Sequence, residues 1–136
     1  MEYDLHHKIK SVSALNLKAI AGNGTSTGNI IDTKGIGSID FVGFAKTVTD
    51  GEYTLKLEEG DDSGLSDAAV VPSANLHGSL FQFDEYKSNL TLRTGCASKK
   101  RYIRASLVAT NVSTGVDMIG VTAILGHLND FPDEQV

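Results

Sequence analysis

The chain has no tryptophan, one cysteine, two prolines and no apolar run long enough for a membrane helix. Each shortage excludes something. A single thiol, Cys96, cannot make an intrachain disulfide and fits a chain matured in a reducing compartment. A membrane helix needs about 18 to 20 consecutive apolar residues, and none occur. The opening "MEYDLHHKIK" is charged and lacks the apolar core of a signal peptide, so the expectation is synthesis and folding in a cytoplasm. Four tyrosines and five phenylalanines make the chain poor in aromatics, which weighs against a sugar-binding face built from exposed rings. A net charge of −5 argues against a general nucleic-acid binder.

What is present points to β-structure. The 136 residues fit one domain large enough to bury a core without disulfides or metal. Short runs of alternating apolar and polar residues recur between clusters of Gly, Asn, Asp, Ser and Thr. The runs cover 11–20, 29–32, 38–48, 52–59, 79–83, 89–94, 101–110 and 116–127. In the fourth, Tyr53, Leu55 and Leu57 share one face. In the last two, Ile103, Ala105 and Leu107, then Ile119, Val121, Ala123 and Leu125, do the same. "SIDFVGFAKTV" is apolar on both faces, as a central strand buried on both sides would be. Asp50-Gly51 between the third and fourth runs reads as a hairpin turn. About eight strands at this spacing predict an all-β, antiparallel β-sandwich over residues 1–136, with short arms at 1–10 and 128–136. The one helical candidate is a single turn in "LSDAAVV", capped by Ser66.

Candidate chemistry is thin. The acidic stretch "LEEGDDSGLSDAA" fails the EF-hand spacing from both Asp61 and Asp62. It reads as a Gly-broken turn with carboxylates facing water. His6 and His7 are adjacent, so in a strand their rings point to opposite faces and chelate poorly. Cys96 lies near Lys99, Lys100 and Arg101, cations that would lower a thiol pKa, yet no nucleophile signature surrounds it. "GNGTSTG" lacks the lysine and helix of a phosphate loop and reads as a surface loop. No catalytic, cofactor-binding or metal-ligating residue is expected, and the chain is not expected to be an enzyme. The candidate partner-binding residues are Leu5 and Ile9 in the first arm, Phe131 in the last, and the basic group Lys99, Lys100 and Arg101.

Three stretches together, "LEEGDDSGLSDAAVVPSANLHGS", "KKRYIRASLVATNVSTGVDMIGVTAILGHLNDFP" and "GNIIDTKGIGSIDFVGFAKTVTDGEYTL", resemble small virion proteins of tailed bacteriophages. The resemblance implies a capsid cement or decoration protein with a jelly-roll-like sandwich. It implies the major capsid protein as partner, self-association as dimer or trimer, and a place on the capsid surface after synthesis in the host cytoplasm. It implies no catalytic residue, membrane or specific nucleic acid. The alternatives are a tail, neck or fibre-base component, or a small carbohydrate-binding β-sandwich module.

Overall fold

The computed structural model describes residues 4–97 and 99–127. Ten strands run in chain order: β1 (Ile9–Ile20), β2 (Gly24–Asp32), β3 (Ser38–Ala45), β4 (Glu52–Gly60), β5 (Ala69–Val70), β6 (Leu76–His77), β7 (Gln82–Phe83), β8 (Leu90–Cys96), β9 (Tyr102–Thr110) and β10 (Val116–Gly126). They form two antiparallel sheets. The first has the order β1-β10-β3-β8-β6 and the second β2-β9-β4-β5, with β7 also on β4.

The order explains itself from the connections. β1 to β2, β2 to β3, β3 to β4, β8 to β9 and β9 to β10 each cross from one sheet to the other. β5 pairs with the Glu58 end of β4 and β7 with the Tyr53 end, so together they fill one strand position. With β6 as a short addition, eight positions remain, arranged β1-β10-β3-β8 over β2-β9-β4-β5/β7. That is jelly-roll connectivity, as the resemblance to virion proteins implies.

Most of the period-2 runs supply an inner face. Tyr53, Leu55 and Leu57 of β4 oppose Ile103, Ala105, Leu107 and Ala109 of β9 within one sheet, and all are buried. Phe41 and Ala45 of β3 and Ile119, Val121, Ala123 and Leu125 of β10 close over them from the other. Phe81 and Phe83 meet edge to face at the open side of the sandwich, with ring centroids 5.5 Å apart.

Four local expectations are corrected. Asp50-Gly51 does not make a hairpin, because β3 and β4 lie in different sheets. Gly51 still needs its positive φ of 90° to turn the chain between them. The "LSDAAVV" stretch holds no helix: Leu65 adopts φ 54° and is buried, and Ala69–Val70 pairs with β4. A single 3₁₀ turn appears later, at Ser73–Asn75. "GNGTSTG" is mostly strand, since β2 begins at Gly24. Its last glycine is required there, because a Cβ at Gly28 would stand 2.1 Å from the Ala105 carbonyl oxygen and 2.3 Å from that of Ala14. Finally, β3 is buried on one face only: Val42 is half-buried and Phe44 is exposed on the outer face.

Candidate binding face and end

The two outer faces of the sandwich differ in chemistry. On the second sheet the outward positions are charged and paired: Arg104 donates to Glu58 at 3.1 Å, Lys56 lies 3.9 Å from the same carboxylate, and Arg101 grips Asp32. The Arg104 and Glu58 side chains are mostly buried by this packing, at 21% and 18% exposure. The outer face of the first sheet is built from rows set by strand register. One row is Ile9, Gly126 and Ser38; the next is Ser11, Ile124, Asp40, Gly95 and His77. Below them come Ser13, Thr122, Val42 and Arg93, then Gly120, Phe44 and Thr91. Small or apolar side chains dominate all four rows.

Two shallow depressions lie along these rows. One, of about 560 Å³, is bordered by Leu17, Phe44, Val42, Thr91 and Thr122, and no charged side chain lines it. Leu17 folds over Gly120, where any Cβ would come 2.7 Å from its Cδ2. Leu17 is nonetheless 62% exposed and Phe44 40%. The second, of about 400 Å³, is lined by Ile9, Asp40, His77, Arg93, Gly95 and Ile124. Its charges are Asp40 and Arg93, paired at 3.4 Å, and the Arg93 side chain is 78% exposed.

The candidate partner residues converge at one end of the molecule. β1 begins there, β3 begins, β8 ends and β10 ends, because Ile9 pairs with Gly126, Gly126 with Ser38, and Ile39 with Cys96. In the other sheet β2 and β4 end and β9 begins at the same level, since Tyr102 pairs with both Asp32 and Gly60. Leu5 precedes β1 in a turn closed by the Lys8 amide donating to its carbonyl at 2.9 Å, and its side chain is 68% exposed. Ile9 and Lys10 belong to β1 rather than to an arm. Lys99, Lys100 and Arg101 form the connection into β9 and are exposed. Phe131 lies outside the described residues.

That basic connection is held rather than loose. Arg101 donates two hydrogen bonds to Asp32, at 3.0 and 2.9 Å, in the forked geometry a guanidinium favours. The Arg101 guanidinium, with the Lys34 amide, keeps the Asp32 carboxyl below its ordinary pKa. The guanidinium also lies 5.1 Å from the centroid of the Tyr102 ring. Thr33 donates its hydroxyl to the Arg101 carbonyl at 2.6 Å, and its amide donates there at 2.7 Å. Lys100 reaches Asp61 at 3.3 Å. Sequence reading sees a cationic cluster; the structure shows one whose charges are partly met by Asp32 at the end of β2 and Asp61 after β4, leaving a mixed polar surface.

The acidic stretch is a self-contained turn. Both Asp67 oxygens accept backbone amides, from Asp61 at 2.9 Å and from Asp62 at 3.2 Å. Asp62 accepts from Gly64 and Ser66 at 3.0 and 3.2 Å. These amide bonds lower both carboxyl pKa values. The carboxylates thus serve the backbone. Among the described residues no group of three or more His, Cys, Asp or Glu could hold a metal ion. Cys96 is fully buried, and desolvation pushes its pKa up to about 11, so the neighbouring cations do not activate it.

The outer face of the first sheet was not singled out from sequence. Its available signal was the second apolar face of β3, which reads as central burial when the sheet partner is unknown.

No family model matches the chain, and no curated protein matches it. The solved structures do offer likenesses. The PBSX exported protein XepA superposes with a TM-score of 0.60 at 15% identity, over 95% of this chain and 40% of that one. The likeness establishes the fold. The chain therefore spans well under half the length of XepA. The SPBc2 prophage-derived protein YomS gives a TM-score of 0.46 at 11% identity, over 86% of this chain and 91% of that one. The CBM22-1 and GH10 modules of Clostridium thermocellum xylanase 10B complexed with xylohexaose give 0.39 at 12% identity, over 93% of this chain and 27% of that one. Among the described residues no helix is long and apolar enough to cross a membrane.

Proposed function

We propose that this chain is a structural protein of a tailed-phage particle, one that binds the capsid shell and reinforces it. The observation that carries the reading is the gathering of Leu5, Ile9, Lys99, Lys100 and Arg101 at one end of a rigid jelly roll. An exposed aliphatic side chain beside a braced, mixed-charge loop suits a protein surface. It offers one apolar anchor and a polar rim, the usual anatomy of an interface. The sequence resemblance to phage virion proteins supports the reading. So does the fold shared with XepA, itself a phage-derived protein. Modest contacts of this kind suffice when many copies act on one particle, because multivalency raises effective affinity.

Co-sedimentation with undecorated heads tests it. Leu5→Asp combined with Lys99→Glu and Lys100→Glu alters the surface of that end and leaves the core strands alone. The expected result is at least about a tenfold loss of head affinity, equivalent to ~1.4 kcal/mol, with an unchanged melting temperature. Wild-type occupancy by this variant overturns the placement. No binding of the unaltered protein to heads, with binding to tails instead, moves it elsewhere on the particle.

A further inference from the structure

The depression bordered by Leu17 and Phe44 has no role in the reading above. We infer that it receives Phe131 and Asp133 from the C-terminal segment of a second copy of this chain. Three observations meet here. The depression is uncharged, aliphatic and aromatic at its rim, and floored by Gly120, so it accepts a large apolar side chain and offers a charged one nothing. The exposed Arg93 lies one outward row away, two residues along the strand. The segment after His127 reads LNDFPDEQV, with three acids, no base, and one aromatic residue.

Spacing then sets the register. Outward positions on a strand recur every two residues, about 6.6 Å, and so do same-side residues of an extended segment laid along it. Phe131 over Gly120 puts Asp133 over the row of Thr122, Val42 and Arg93. There its carboxylate becomes a second acceptor for a guanidinium whose described partner is Asp40 at 3.4 Å. Pro132 between them biases Phe131 to an extended backbone, the conformation the trough requires.

Length decides which copy supplies the segment. From the Gly126 row to the Gly120 row is six residues, about 20 Å along β10. Phe131 follows His127 by four, about 13 Å when fully extended, before any chain is spent on reversing direction. Four extended residues are too short a tether for the chain's own Phe131 to reach the depression. A neighbouring copy has no such tether.

The test is complementation between full-fold variants, read by sedimentation velocity. Phe44→Glu spoils the depression and keeps the segment; Phe131→Ala keeps the depression and spoils the segment. Unaltered protein should self-associate, and each variant alone should do so at least about tenfold more weakly. Their mixture should recover association, because one good depression and one good segment remain. Arg93→Glu and Asp133→Arg should each weaken association and together restore it. Circular dichroism identifies any variant that fails to fold, and Thr122→Glu then replaces Phe44→Glu. An unaltered protein that stays monomeric at about 100 µM, between the micromolar and millimolar marks of the affinity scale, overturns the inference. So does a mixture no better than its parts. Head binding by the single variants is the control: loss of head binding with intact self-association concerns the attachment end and leaves this contact standing.

Discussion

Asp50 holds the amide of Thr114 with both carboxylate oxygens, at 3.1 and 2.9 Å. The same carboxylate accepts the amides of Ser113 and Gly115 at 3.0 and 2.9 Å. The β3–β4 crossing is thereby fastened to the β9–β10 crossing at the end of the sandwich opposite the basic loop. Tyr53 adds a hydroxyl bond to the Asp50 carbonyl at 2.9 Å.

Acid should loosen this fastening. Bonds from Thr114, then Ser113 and Gly115, lower the Asp50 pKa from 3.8. A carboxyl depressed in the folded state contributes stability that is fully present above its unfolded pKa. That contribution is lost as pH falls through the folded value. Asp32, Asp62 and Asp67 are shifted in the same direction. Melting temperature should therefore hold from neutral pH down to about 4, near the unfolded carboxyl pKa, and fall below it. Asp50→Ala should melt lower at pH 7 and show a shallower acid decline, with the depressed carboxyls of Asp4, Asp32, Asp62 and Asp67 still contributing.

The buried thiol should be silent. Cys96 is enclosed and its pKa is raised to about 11. A thiol-reactive chromophore at pH 8 should label no more than a trace of the native chain, and one equivalent after denaturation. Fast native labelling would show that the β8 end opens.

Gly28→Ala should damage the fold far more than a change at a glycine with open space around it, such as Gly22. The added methyl has two carbonyl oxygens within 2.3 Å, from β9 and from β1, and neither can retreat without breaking a strand. A loss of at least about 2 kcal/mol in urea unfolding is expected, well above the typical substitution. Gly22→Ala, with open space around it, is the control.

Calcium should not alter the melting curve. Both Asp67 oxygens and Oδ2 of Asp62 already accept backbone amides. A ligand that binds only the native state raises its stability, so superposed melts with calcium and with chelator are the expected outcome. Asp67→Ala should lower the melting temperature under both conditions.

Much of the fold was legible because alternation is a local signal. The inner faces of β4, β9 and β10 could be named residue by residue. The sheet membership of those strands could not, since it depends on which partner lies across the sandwich. For that reason Asp50-Gly51, with good hairpin chemistry, turned out to join two sheets. β2 was the weakest signal: its Gly, Ser and Thr residues look like loop, and its pairing with β9 supplies the order that its side chains do not. The candidate site was legible as residue types. Leu5, Ile9 and the Lys99, Lys100 and Arg101 group could be singled out, but not their meeting at one end, which needs long-range register. The outer face of β3 was misread as burial because Val42 and Phe44 look the same to a core and to an exposed trough.

The irregular edges of the two sheets have a bearing on crowding. β1 breaks register with β10 three times between Ser13 and Ile20, and β2 breaks once, between Thr27 and Ile30. Asn29 of β2 spends its side-chain amide on the Ser13 carbonyl of β1, tying the two edges together. The opposite edges are two-residue strands, β5 and β6. Long flat edges invite strand-to-strand polymerisation, and bulged, tied or very short ones do not. Folded copies can thus accumulate at high local concentration without seeding cross-β fibres.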